Sequence, residues 1–183
     1  MENRRLEYYK RIRQVARGYL SGLITEEKYP DVDPVAVGKL LGIYRSGKMI
    51  FENENEVSAL MDFSIAEKIY DGKSIIEREI ETNQEMDDDK RTILEAFSLG
   101  YTSLFEILGN KAKEYTVQLH DLLNDEDKEI IDINLSRSVS SHKSGLLFFR
   151  IVFVRDFAMT SGVTFAFRSE YKDVLLRRYR SEI

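Results

Sequence analysis

The chain has 183 residues, 43% hydrophobic and 32% charged, with 10 Tyr, 10 Phe and only 2 Pro. That composition can bury a core, which excludes a disordered or collagen-like chain. With 0 Cys and 2 His it lacks the groups for disulfides, thiolate chemistry or a three-imidazole metal centre, and a net charge of −5 argues against a surface built wholly for nucleic acid.

The first half reads as helices. Leu6, Tyr9, Ile12, Val15, Ala16, Tyr19, Leu20 and Leu23 fall largely at steps of three and four, which predicts an amphipathic helix from Leu6 to Ile24 with arginines largely between the apolar positions. Tyr29-Pro30 breaks the chain, and Asp33-Pro34 is a helix start, with Asp to accept an orphan N–H and Pro where no N–H is needed. The stripe Val37, Leu40, Leu41, Tyr44 continues that helix to Ser46-Gly47. A third helix is expected from about Asn55 to Tyr70 and a weaker fourth from Ser74 to about Asn83. Asp87, Asp88 and Asp89 place negative charge at a helix N-terminus. Leu94, Phe97, Tyr101, Leu104 and Leu108 then predict one helix of about twenty residues, closed by Gly109-Asn110.

Beyond Asn110 the period changes. Residues 111–123 fit either a strand or a helix, and the cluster Tyr115, Thr116, Val117 favours strand. Ile131, Ile133 and Leu135 alternate with polar residues and predict a half-exposed strand. Leu146 to Val154 is apolar on both faces except at Arg150, as in a central strand. Val163, Phe165 and Phe167 form the next strand, joined to it by a hairpin loop over 156–162. Ser169 then starts a last helix with Tyr171, Val174 and Leu175 inward.

The expected fold is therefore α+β: an N-terminal helical bundle (1–110) packed with a three- or four-stranded antiparallel sheet and a C-terminal helix (111–183). No Pro- or Ser-rich linker separates the halves, so the expectation is a single domain over 1–183 with one shared core. No run reaches the roughly 18 apolar residues of a membrane span. No apolar segment follows the basic N-terminus as in a secretory leader, which makes the cytoplasm the expected compartment.

Reactive constellations are scarce. Gly42 to Lys48 has the spacing of a phosphate loop, but Met49 stands where a magnesium-binding hydroxyl belongs and a helical stripe precedes it. The acidic runs at 77–89 and 125–129 lack the glycine and ligand spacing of a calcium loop. His120 and His142 have no nucleophile elbow around them. The stretch Arg137, Ser140, Ser141, His142 and Lys143 is a candidate anion-binding loop, with a plain polar connection as the alternative. No catalytic residue, cofactor or metal ligand is assigned. The sheet aromatics, Phe148, Phe149, Phe153, Phe165 and Phe167, are read as core, with base stacking as the alternative.

Charge is unevenly spread. Residues 1–22 carry +4 and residues 168–183 carry +2, which leaves −11 on the middle. The expected function is a non-enzymatic regulatory or scaffolding module that binds a protein partner, acidic in character, by surface complementarity. The partner-facing residues would be Arg4, Lys10, Arg11, Arg13 and Arg17 at one end and Arg177, Arg178 and Arg180 at the other. Phe157 and Met159 would be apolar anchors in the 156–162 loop. A homodimer is compatible with the same surfaces. Two alternatives stay open: a nucleic-acid-binding regulator using the basic N-terminal helix, and a binder of a small apolar ligand or pigment between helices and sheet.

Overall fold

The structure, a computed structural model, describes residues 2–24, 28–69, 71–139 and 145–181. The chain forms two compact units, residues 3–99 and 100–183.

The first unit is helical. Helix α1 (Glu2–Ser21) follows the predicted stripe, with Tyr9, Ile12, Ala16 and Leu20 buried along one side and Leu23 just beyond its end. Helix α2 (Pro34–Leu40) starts where Asp33 accepts the Val35 N–H at 2.8 Å. It ends earlier than the sequence suggested. Tyr44 belongs to a small hairpin, β1 (Tyr44–Arg45) and β2 (Lys48–Met49), whose turn residues Ser46 and Gly47 both have positive φ. Two successive left-handed residues make the turn that suits a tight hairpin, so the phosphate-loop spacing is spent on a β-turn. Gly38 lies against this hairpin, and a Cβ there would stand 2.4 Å from the Met49 methyl. Helix α3 (Glu54–Ala66) and helix α4 (Ile75–Thr82) follow, the latter held by a capping box between Ser74 and Glu77. Helix α5 (Asp88–Ser98) is capped by Asp87, whose carboxylate accepts the Lys90 N–H at 2.9 Å. The expected twenty-residue helix is thus only half right: it stops at Ser98, and Tyr101, Leu104 and Leu108 lie in a strand.

The second unit is a closed barrel of five strands, a correction to the expected three- or four-stranded antiparallel sheet. Strands β3 (Tyr101–Lys111), β4 (Thr116–Asp121) and β5 (Glu126–Ile131) form an antiparallel meander. Helix α6 (Ile133–Val139) comes next, where a strand was expected. Asp132 decides this locally, because its carboxylate accepts the N–H groups of Asn134 and Leu135 and so starts a helix. Strands β6 (Leu146–Val154) and β7 (Phe157–Phe167) form a hairpin, β6 closes on β3, and β7 meets β5 in parallel at Ile130 and Ala158. The order β3-β4-β5-β7-β6 with a helix between the third and fourth strands is that of an OB-type Greek-key barrel. Its interior is filled by Phe105, Val117, Leu119, Ile130, Leu147, Phe149, Ile151 and Ala158, with Phe105 and Phe149 stacked 4.4 Å apart.

The β6–β7 connection is Arg155-Asp156 alone, because Val154 already pairs with Phe157. Of the expected 156–162 loop only Asp156 lies in the turn; residues 157–162 are strand, bulged near Gly162. After a 3-10 turn at Ser169–Tyr171, helix α7 (Lys172–Ser181) ends the described chain. No α7 residue is buried, and Tyr171 and Val174, expected inward, are exposed.

Candidate functional site

Because α1 buries one side, its other side is fixed toward solvent. Arg4, Lys10, Arg11 and Arg17 are exposed there and Arg13 is half-buried on the flank. At 1.5 Å per residue the arginines span about 20 Å. Lys10 pairs with Glu7 at 2.7 Å and Arg11 with Asp89 of α5 at 3.1 Å, the Arg11 guanidinium also lying 5.1 Å from the Tyr8 ring centre. These are exposed pairs, each worth about 0–1 kcal/mol, so a competing carboxylate can displace them at little cost.

Beneath this face, α1 is tied down by a buried carboxylate. Glu79 of α4 has no exposed surface and accepts the hydroxyls of Tyr19 and Tyr29, both at 2.7 Å, the Lys28 ammonium at 2.6 Å and the Asn83 amide at 2.9 Å. Burial by itself would raise its pKa. The hydrogen bonds from Lys28, Asn83, Tyr29 and Tyr19 outweigh that and hold it at about 2. Burial, followed by the bond to Glu79, pushes both phenols above their ordinary value. A carboxyl held this low is a fixed charge and not a proton donor near neutrality.

The barrel has a comparable polar knot. Asp121, buried at the end of β4, accepts the hydroxyls of Ser103 and Tyr101, the amide of Asn124 and the N–H groups of Leu123 and Asn124. Burial pushes its pKa up, and the bonds from Ser103, Asn124 and Tyr101 bring it below the ordinary value. Its role is to close the β4–β5 turn, where Asp125 has positive φ. Ser103 donates to a carboxylate here, which does not make it a nucleophile.

His120 precedes Asp121 and so faces the other side of the strand. Its ring nitrogens lie 2.8 Å from Asp127 and 3.3 Å from Asp125. The hydrogen bond to Asp127 raises its pKa, helped by the charge of Asp125 and opposed by burial and by Lys172. Lys172, the first residue of α7, pairs at 2.7 Å with Glu106, which stands opposite His120 in the β3–β4 ladder. In OB-type barrels the face of the second and third strands is the usual oligonucleotide platform. Here that face pairs Gln118 with Glu129 and His120 with Asp127, acidic and without Phe, Tyr or Trp.

The aromatic surface lies elsewhere. Phe148 and Phe165 pair across the β6–β7 ladder, and Phe167, opposite Leu146, continues the same face. Phe148 and Phe167 are exposed. The core reading therefore holds for Phe149 and fails for these two. The alternation in β6, Leu147 and Phe149 in and Phe148 out, was the available signal.

The remaining predicted residues separate. Phe157 and Met159 are buried in β7, Met159 completely, so they are not partner-facing anchors. Arg177, Arg178 and Arg180 are exposed on α7. Arg137 ends α6 with its guanidinium 5.5 Å from the Tyr115 ring centre. Ser140, Ser141, His142 and Lys143 lie outside the described residues. Among the described residues no group of three or more His, Asp or Glu converges as a metal site, and no helix is long and apolar enough to cross a membrane.

A family model described as "Family of unknown function (DUF7986)" matches residues 3–183. No curated protein and no solved structure matches the chain.

Proposed function

We propose that this chain, which belongs to the family of unknown function DUF7986, is a non-catalytic binding module whose α1 arginines engage an acidic surface on a partner protein. The observation that carries this reading is the rigid presentation of Arg4, Arg11 and Arg17 on a helix whose opposite side is buried and clamped through Tyr19 to Glu79. Preorganised charge of this kind raises association rates and selects partners of opposite sign. The non-catalytic part is supported by the employment of the buried acids. Glu79 and Asp121 are both saturated by structural hydrogen bonds.

The test is purification from the native cell of the wild-type chain and of an R4E/R11E/R17E variant, with quantitative mass spectrometry at low and high salt. Protein partners lost with the variant support the reading, and an unchanged partner set refutes it. The exposed Arg4, Lys10, Arg11 and Arg17 of α1 favour a second reading, single-stranded nucleic acid along the same helix. Binding would then fall steeply with salt, by about 0.7 log units per tenfold salt for each phosphate contacted. Partners released by nuclease treatment would identify it.

A further inference from the structure

Helix α7 is ten residues long and buries none of them. Isolated helices shorter than about 12 residues are marginal in water. The surface it presents is of interface composition: Tyr171, Val174 and Tyr179 are exposed, Val174 at 56%, beside Arg177, Arg178 and Arg180. Aromatic residues and arginine are the types enriched where binding energy concentrates. On the outer side of the barrel Phe148 and Phe167 are exposed, while Leu146 between Glu106 and Phe167 is fully buried. Lys172 holds the start of α7 over Glu106, Glu106 pairs with Leu146, and Leu146 pairs with Phe167, so Phe167 and then Phe148 lie in and next to that row.

The same barrel carries a face of opposite sign. The β4–β5 hairpin exposes Asp125, Glu126, Asp127 and Glu129, with the Asp125 side chain 96% exposed. Lys128, Lys111 and His120 offset part of this charge and leave the hairpin net negative. Among the described residues no carboxylate pairs with Arg177, Arg178 or Arg180, although Lys172 brings α7 in beside His120. One barrel thus offers a basic, aromatic helix and a separate acidic hairpin. We infer that the occupant of the α7 face is a second copy of this chain, in a two-fold pair where each α7 lies on the other's β4–β5 hairpin. A two-fold axis forms both contacts at once and covers both α7 faces, which is the economy of an isologous interface. The inference is independent of α1 and of the partner proposed for it.

The experiment is light scattering and sedimentation of the full chain at about 10–100 μM, the range in which an interface of modest size associates. The wild type is expected at twice the 21.4 kDa chain mass. R177E/R178E/R180E and D125K/D127K/E129K are each expected to run as monomers, since each makes both contacts like-charged. Mixed in equal amounts they are expected to return to the double mass, because one contact then joins a reversed α7 to a reversed hairpin and the other joins a wild-type α7 to a wild-type hairpin. Circular dichroism establishes that each variant is folded, and the single pair R178E with D127K repeats the test should a triple variant not fold. A monomeric wild type, a dimer that survives the α7 reversal, or folded variants that stay apart on mixing would each overturn the inference.

Discussion

Replacing Glu79 by Gln is expected to destabilise the helical unit at neutral pH and to reduce its sensitivity to acid. The carboxylate has four donors and no exposed surface, and its pKa is lowered from 4.5 to about 2. A group whose folded pKa is depressed adds stability above its unfolded pKa and loses it as pH falls through the folded one. Lowering the pKa from 4.5 to about 2, at about 1.4 kcal/mol per pH unit, amounts to roughly 3–4 kcal/mol. That contribution is present at pH 7, declines below about pH 5 and is nearly gone at about pH 2. Gln keeps the shape but loses the charge facing Lys28, and its amide N–H₂ meets one of the two tyrosine hydroxyls without accepting from it. The assay is urea unfolding at a series of pH values for the wild type and Glu79→Gln, followed by far-ultraviolet circular dichroism of the helices. The two curves should differ by roughly 3–4 kcal/mol at pH 7 and converge toward pH 2. Parallel curves over that range would refute the assignment of Glu79 as the acid-sensitive clamp of α1.

Two further outcomes concern the barrel. Asp121→Ala removes the acceptor for Tyr101, Ser103 and the 123–124 N–H groups, leaving buried donors unpaired, so a loss of about 3–5 kcal/mol is expected with faster amide exchange at Leu123 and Asn124; a loss below about 1 kcal/mol would contradict the role given to it. Residues 100–183 expressed alone are expected to unfold cooperatively, because all five strands and their interior lie within that segment; a fragment without a cooperative transition would instead support the single shared core expected from the sequence.

The elements legible in the sequence are those decided within one turn of chain. The α1 stripe, the Asp33-Pro34 start and the helix beginning at Ser74 each depend on neighbours two to four residues away. The misread stretch at 101–108 shows where that reach ends. Leu94, Phe97, Tyr101, Leu104 and Leu108 keep helical spacing, yet the chain turns at Leu99-Gly100 and pairs with β6. Ser103, Leu104 and Phe105 are all buried, so β3 shows no alternation to read at that point. Gly100 is the local signal of the break, against a periodicity that spans two elements. At 131–136 a short alternation competed with one capping residue, and Asp132 prevailed by satisfying two N–H groups and accepting the Thr160 hydroxyl at 2.6 Å.

Charge position was legible where exposure was not, and the difference decides what the surfaces can do. A formal charge is a property of the residue, and a long cation seldom loses its solvent without a partner, so Arg4, Arg11 and Arg17 stay outside as expected. An apolar residue takes its exposure from strands that close far away in sequence. Phe157 and Met159 looked like loop residues and became wall residues once Val154 paired with Phe157 across a two-residue turn. Tyr171 and Val174 looked like core and were left outside, because the barrel interior is already filled by its own five strands. The apolar surface open to a partner therefore moves from the β6–β7 connection to α7 and the outer phenylalanines. There it stands beside Arg177 and Arg178, three and four residues on from Val174, where the sequence had placed apolar anchors and basic residues apart.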